Sequence, residues 1–167
     1  MDESGPIEVV GVIDLERVQT KLDYVEREAA AAAAGAARLR QLRVPPAEDV
    51  EAAATMLRGV KYALQTSIQA MIDVAYHLAA KAFGSAPADA YEAFAVLARR
   101  GAIPAARLVP YRQMLGLRNR LVHGYQDIDD EQVLGFAEAA RDFEQFRQEI
   151  QTFVRARQRQ PRAGPPS

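Results

Sequence analysis

Met56 to Ala79 reads MLRGVKYALQTSIQAMIDVAYHLA, and its apolar positions decide the fold class. Met56, Val60, Leu64, Ile68, Met71, Ile72, Ala75 and Ala79 recur every three or four residues. That period places side chains along one face of an α-helix. Extended outward, the pattern predicts a helix from Ala47 to Phe83, bounded by Pro45-Pro46 and by Gly84-Ser85-Ala86-Pro87. Proline ends a helix because it cannot donate the helical hydrogen bond and restricts the residue before it.

Upstream, Asp14 is an expected N-cap. Leu15, Val18, Leu22, Val25, Ala29, Ala32, Ala36 and Leu39 then mark a long amphipathic helix from Asp14 to Leu42, weakened but not ended by Gly35. Ile7 to Ile13 reads as an extended leader. Downstream, Tyr91, Phe94 and Leu97 share a face of a helix over Ala90–Arg100. Pro104 suits the first turn of the next helix, which carries Leu108, Tyr111, Met114, Leu115 and Leu117 towards His123; Pro110 implies a kink or a late start. Gln126 to Asp129 is a loop, and Asp129 or Asp130 caps a last helix with Val133, Phe136, Ala140, Phe143, Ile150 and Phe153 inward. The expected organisation is an extended leader (1–13), a helical domain (14–154) and a disordered Arg/Pro-rich tail (155–167). The fold class is all-α, a bundle of about five helices with no sheet.

Hydrophobic residues make up 49% of the 167 residues, aromatics only 7%, and Cys is absent. Disulfides and thiolate metal sites are thereby excluded, and a reducing cytoplasm is compatible. No apolar run reaches the roughly 20 residues that cross a bilayer, and the acidic start Asp2-Glu3 does not resemble a secretory signal. The expectation is a soluble cytoplasmic protein without membrane contact. A formal net charge of −1 means that any nucleic-acid contact must use a local basic patch.

Two His, no carboxylate cluster at metal-ligand spacing, no phosphate-cradling Gly-rich loop and no nucleophilic Ser elbow narrow the chemistry to Leu117–Tyr125. His123 can exchange protons near neutrality. Arg118 offers a planar fork of donors that fits two phosphate oxygens, and Asn119 can orient either group. This set suffices, without metal or cofactor, to cleave RNA at its 2′-hydroxyl. Proton transfer would contribute roughly 10²–10⁴-fold and a well-placed charge donor about 3–4 kcal/mol. Arg118 and His123 are, however, about 140° apart on an ideal helix. Either the helix ends or distorts between them, or two copies of the chain bring their motifs together. Arg112 and Arg120 are either a phosphate track beside Arg118 or solvated cations. His77, four residues from Asp73, reads as half of a buried pair or as an interface contact.

Arg118-Asn119 through His123-Gly124-Tyr125 resembles the R-x4-6-H-x-Y motif of the HepT-like branch of the HEPN superfamily. Tyr62–Gln65 with Met71–His77 resembles that family's long second helix, and Tyr91–Phe94 with Gly101–Pro104 its third helix and following turn. The resemblance spans about residues 14–154. It implies an up-and-down HEPN bundle and an endoribonuclease toxin of a type VII-like module. It also implies a homodimer with a composite active site, and a partner that is an MntA-like minimal nucleotidyltransferase antitoxin. Arg118 and His123 would be catalytic, with Asn119 assisting, and Tyr125 would be the tyrosine that receives AMP. A non-catalytic HEPN dimer that binds RNA or a nucleotidyltransferase is the alternative. The leader, the Arg/Pro tail and the Ala29–Ala34 run depart from the family pattern without touching the motif.

Overall fold

The computed structural model describes residues 11–42, 49–124 and 128–160, and these contain no strand. The helices are α1 (Leu15–Gln41), α2 (Val50–Phe83), α3 (Ala90–Arg99), α4 (Leu108–His123), α5 (Asp130–Glu138) and α6 (Ala140–Arg159), with a 3-10 turn at Ala105–Arg107. No described helix is long and apolar enough to cross a membrane. Residues 1–10 of the expected leader, the expected helix start at Ala47 and the end of the expected tail, 161–167, lie outside the described residues.

Local chemistry sets the helix limits. Asp14, Asp89 and Asp129 each accept a backbone N–H from the first turn of α1, α3 and α5, satisfying donors that a helix start leaves unpaired. Gly84 closes α2 in the left-handed region (φ 60°), so that its N–H and that of Ser85 turn back to Ala80 and Ala79. Pro104 precedes the 3-10 turn, and α4 starts late, leaving Pro110 in its first turn where the missing N–H costs nothing.

Two expected helix boundaries need correction. The final helix is two helices, because Ala139 departs from helical geometry (φ −80°, ψ 34°). The break re-phases the apolar stripe: Val133 and Ala137 of α5 and Phe143, Phe146 and Ile150 of α6 are all buried, which one continuous helix would not allow. Secondly, helix extends beyond the expected boundary at 154 to Arg159. Arg157 donates to the Ala82 carbonyl at 2.6 Å and lies over the rings of Phe83 and Phe153. Leu15 and Tyr91, expected inside, are 39% and 37% exposed.

The antiparallel seam of α1 and α2 forms the backbone of the core. Ala29, Ala32 and Ala36 of α1 are buried, as are Val60, Leu64 and Ile68 of α2. At Gly35 the helices are so close that a Cβ would stand 2.6 Å from Val60 Cγ2. Further along, Ser67, fully buried, donates to the Val25 carbonyl at 3.0 Å, and Lys21 pairs with Asp73 at 2.7 Å. At the far end the Asp14 N–H donates to His77 Nε2 at 3.0 Å. The expected His77–Asp73 pair does not form, since Asp73 accepts from Lys21 and Gln69.

On the other side, Phe94, Tyr111 and Phe146 of α3, α4 and α6 form an aromatic cluster with centroids 5.5–5.8 Å apart. The buried Tyr111 hydroxyl donates to Glu149 at 2.7 Å, and burial pushes both groups' pKa values up. Arg107 adds an ion pair to Asp142 at 2.7 Å. The first part of α4 is thereby fastened to α6.

Two outcomes test this packing. Gly35→Ala ordinarily stabilises a helix interior by about 1 kcal/mol, but here the new methyl meets the stiff Val60 side chain. Thermal melts will show Gly35→Ala lowering Tm in the native chain by a few degrees and raising it in a Val60→Ala background. The second concerns pH. Burial, then Arg17, holds His77 below its ordinary 6.5, so the unfolded chain takes up this proton more readily than the folded one. The corresponding stability is fully present above about pH 6.5 and is lost as pH falls below it. Tm should fall between about pH 7.5 and 5.5, and His77→Gln should flatten that fall.

Candidate functional site

Helix α4 carries the expected residues and runs unbroken from Leu108 to His123. Its last turn is regular, with Gly124 N–H bonded to the Arg120 carbonyl at 2.8 Å. No distortion therefore brings Arg118 and His123 together, and they project about 140° apart around the axis. Arg118 is half-buried on the flank facing α2, whereas His123 is exposed. Of the two arrangements open to the sequence, the one requiring a distorted helix is not what the chain adopts.

Arg118 is held by neutral groups. Its Nη2 donates to Gln69 Oε1 at 2.7 Å and its Nη1 to Asn119 Oδ1 at 3.3 Å. Gln69 Nε2 in turn donates to Asp73 Oδ1 at 3.0 Å, and Asp73 Oδ2 pairs with Lys21 at 2.7 Å. A relay thus runs from α1 through α2 to α4. Arg118 Nε is buried without a hydrogen-bond partner, and among the described residues no carboxylate pairs with this guanidinium. Arg107 and Arg147, by contrast, each face two carboxylates. A half-buried cation with a donor left over and no carboxylate beside it has the chemistry to hold an anion.

Gln69 was not singled out by sequence reasoning. Its signal was faint: a polar residue beside the apolar stripe of α2, four before Asp73. Arg118 and Asn119 also line a cleft of about 410 Å³ with Ile72 and Tyr76 of α2 and Asp89, Ala90 and Tyr91 at the start of α3.

Arg112 and Arg120 do not continue the Arg118 flank. Both are exposed and, with His123, fall within roughly 80° of one another on the outer face of α4. Arg120 lines a shallow groove with Gln113, Gly116, Gln132 and Phe136. The structure thus brings Arg118 and Asn119 together on one flank, and His123, Arg112 and Arg120 together on another. Tyr125 lies outside the described residues.

Comparison with known proteins agrees with this architecture. A family model described as "Ribonuclease HepT-like" matches residues 34–152. No curated protein matches the sequence. Among solved structures, the tri-AMPylated Shewanella oneidensis HEPN toxin in complex with MNT antitoxin is 26% identical. The match covers 78% of this chain and 98% of that one, with a TM-score of 0.58. A toxin–antitoxin structure with AMP-PNP is 24% identical over 81% of this chain and 98% of the other, TM-score 0.63. The cytosolic protein of unknown function YutE from Bacillus subtilis is 13% identical, covers 93% and 96%, and superposes with a TM-score of 0.66. The two less similar structures support the HEPN-type helical fold alone. With the family match spanning most of the bundle and the whole of α4, the chain belongs to the HepT-like ribonuclease family.

Proposed function

We propose that this chain is the toxin of a two-component module, a metal-independent endoribonuclease that acts as a homodimer. One observation carries the reading: Arg118 sits half-buried in an open cleft, oriented by Gln69 and Asn119, with Nε unpaired and no carboxylate partner. A scissile phosphate is the anion that completes it.

In the proposed reaction His123 takes the proton of a 2′-hydroxyl. The 2′-oxygen forms a bond to the adjacent phosphorus, the bond from phosphorus to the 5′-oxygen breaks, and that oxygen takes a proton from water, while His123 later returns its own to solvent. The products are a 2′,3′-cyclic phosphate and a 5′-hydroxyl. Arg118 stabilises the negative charge gathering on the phosphoryl oxygens. Asn119 and Gln69 are positioning residues that restrict the guanidinium to one orientation.

Arg118 and His123 lie on different flanks of a rigid helix, so the proposed site takes Arg118 from one protomer and His123 from its partner. The outer face of α4 is suited to the symmetric contact: exposed Val109, half-buried Gly116 and, around them, Arg112 and Arg120, which would flank the RNA path. The proposed antitoxin is a minimal nucleotidyltransferase that joins AMP to the Tyr125 hydroxyl as pyrophosphate leaves. This adds anionic charge two residues from His123 in sequence. The AMPylated state of the Shewanella oneidensis toxin supports this.

Purified chain, with Tyr125 shown free of AMP by mass spectrometry, should cleave RNA in EDTA, and Arg118→Ala or His123→Ala should lower the rate by at least a hundredfold. Wild type that binds RNA without cutting it points instead to the non-catalytic binding module. Mixing the two inactive variants distinguishes the arrangement of the site. Half of the dimers are then mixed, and each has one intact composite site, so about a quarter of wild-type activity should return. Continued inactivity of the mixture would place both residues in one protomer's site. Gln69→Leu should reduce kcat about tenfold and leave KM nearly unchanged, as loss of orientation alone predicts.

A further inference from the structure

The cleft beside Arg118 has walls that phosphate chemistry does not require. Ile72 and Tyr76 rise from one face of α2, and Tyr91 stands at the start of α3. Both tyrosines belong to the few large apolar side chains left on the surface, 36% and 37% exposed. The sequence pattern put Tyr91 on one helix face with Phe94 and Leu97, which are fully buried. Its hydroxyl reaches over α4, 3.7 Å from where a Cβ on Gly116 would stand. At the rim are Asn119, whose amide both donates and accepts, and the Asp89 carboxylate, which uses Oδ1 to cap α3 and retains other lone pairs.

Flat apolar walls, a rim of hydrogen-bonding groups and one guanidinium are the parts needed to hold an unpaired nucleotide. Its base stacks on an aromatic side chain, its edge meets amide or carboxylate groups, and its phosphate meets Arg. A volume of about 410 Å³ is that of a small-molecule pocket, and is too narrow for a duplex with its bases paired inside. We infer that the Tyr76–Tyr91 cleft is a nucleobase subsite that receives the unpaired base next to the phosphate held by Arg118. This makes single-stranded RNA the substrate class. The inference rests on the ribonuclease reading for the role of Arg118, but base binding itself does not require that cleavage occur.

The test uses the full chain with two fluorescein-labelled RNAs of equal length, one unstructured and one fully paired. Binding is measured in a His123→Ala background and cleavage in the native background. Tyr76→Ala and Tyr91→Ala should each weaken binding of the single strand about tenfold, raise KM by a similar factor and leave kcat nearly unchanged. Tyr76→Phe and Tyr91→Phe, which keep the stacking face, should restore near-native values, and the paired RNA should bind weakly to every variant. Circular dichroism melts confirm folding of each variant. Wild type that fails to cleave, yet binds single strands in a tyrosine-dependent manner, sinks the nuclease reading and keeps the subsite. Folded alanine variants with unchanged Kd and KM overturn the subsite while leaving the nuclease standing. Conversion of the alanine variants to monomers on size exclusion also overturns it, by showing that the cleft is a subunit seam.

Discussion

Two long helices can lie side by side only as closely as their facing side chains permit, and the C-terminal half of α1 offers α2 small residues, Ala29, Ala32, Gly35 and Ala36. Close approach has a structural return beyond dispersion contact. It lets the short Ser67 hydroxyl reach a carbonyl of α1, and Lys21 pairs with Asp73 across the same seam. These contacts run in opposite order along the two helices, with Gly35 against Val60 at one end and Asp14 against His77 at the other. That fixes a single antiparallel register. Gln69 then follows by helix geometry, one turn before Asp73 on the flank that α4 packs against. Arg118 is thereby tied to Lys21 of α1 through three hydrogen bonds, by way of Gln69 and Asp73.

Nearly all of the bundle was legible because periodicity reports burial directly. The positions that the spacing named in α1 from Val18 to Ala36 and in α2 from Val60 to Ala79 are all buried. Helix α2 also buries Ala63, Ser67, Ala70, Val74 and Leu78, which the spacing did not name. Helix starts were readable wherever an aspartate caps, as at Asp14 and Asp129. The break at Ala139 was not readable, since alanine is the best helix former and carries no sign of ending one. Only the phase jump between Ala137 and Phe143 encodes it. The helical extension through Arg157 was masked by composition: Arg, Pro and Gly suggest a solvated tail, whereas this Arg packs its stem and charge over two rings.

The candidate site was legible in its types and less so in its grouping. Arg118 and Asn119 do meet. The expected company of Arg112 and Arg120 is a different flank, because a chain-order cluster of cations on a helix spreads around the axis. Tyr91 shows the converse failure. Its spacing put it on one face with Phe94 and Leu97, and only the actual path of α3 across α4 reveals it as a cleft wall. Sequence patterns record which face of a helix is apolar, but not whether the neighbouring helix covers that face completely.

The regularity of α4 bears most heavily on mechanism. Five residues of helix separate Arg118 and His123 by about 7.5 Å along the axis and about 140° around it. A 2′-hydroxyl and its adjacent phosphate are neighbours on one nucleotide, which is why the proposed reading assigns the Arg and the His that meet them to two chains. Unwinding the last turn would surrender the Gly124–Arg120 hydrogen bond and its neighbours. A two-fold contact through the outer face of α4 needs no such distortion. Wherever a two-fold contact brings one chain's His123 to the other chain's Arg118, symmetry makes the same contact twice. On the proposed reading, rigidity within the protomer is what makes a second protomer necessary. An isolated chain would hold the anion-binding half of the site without its base.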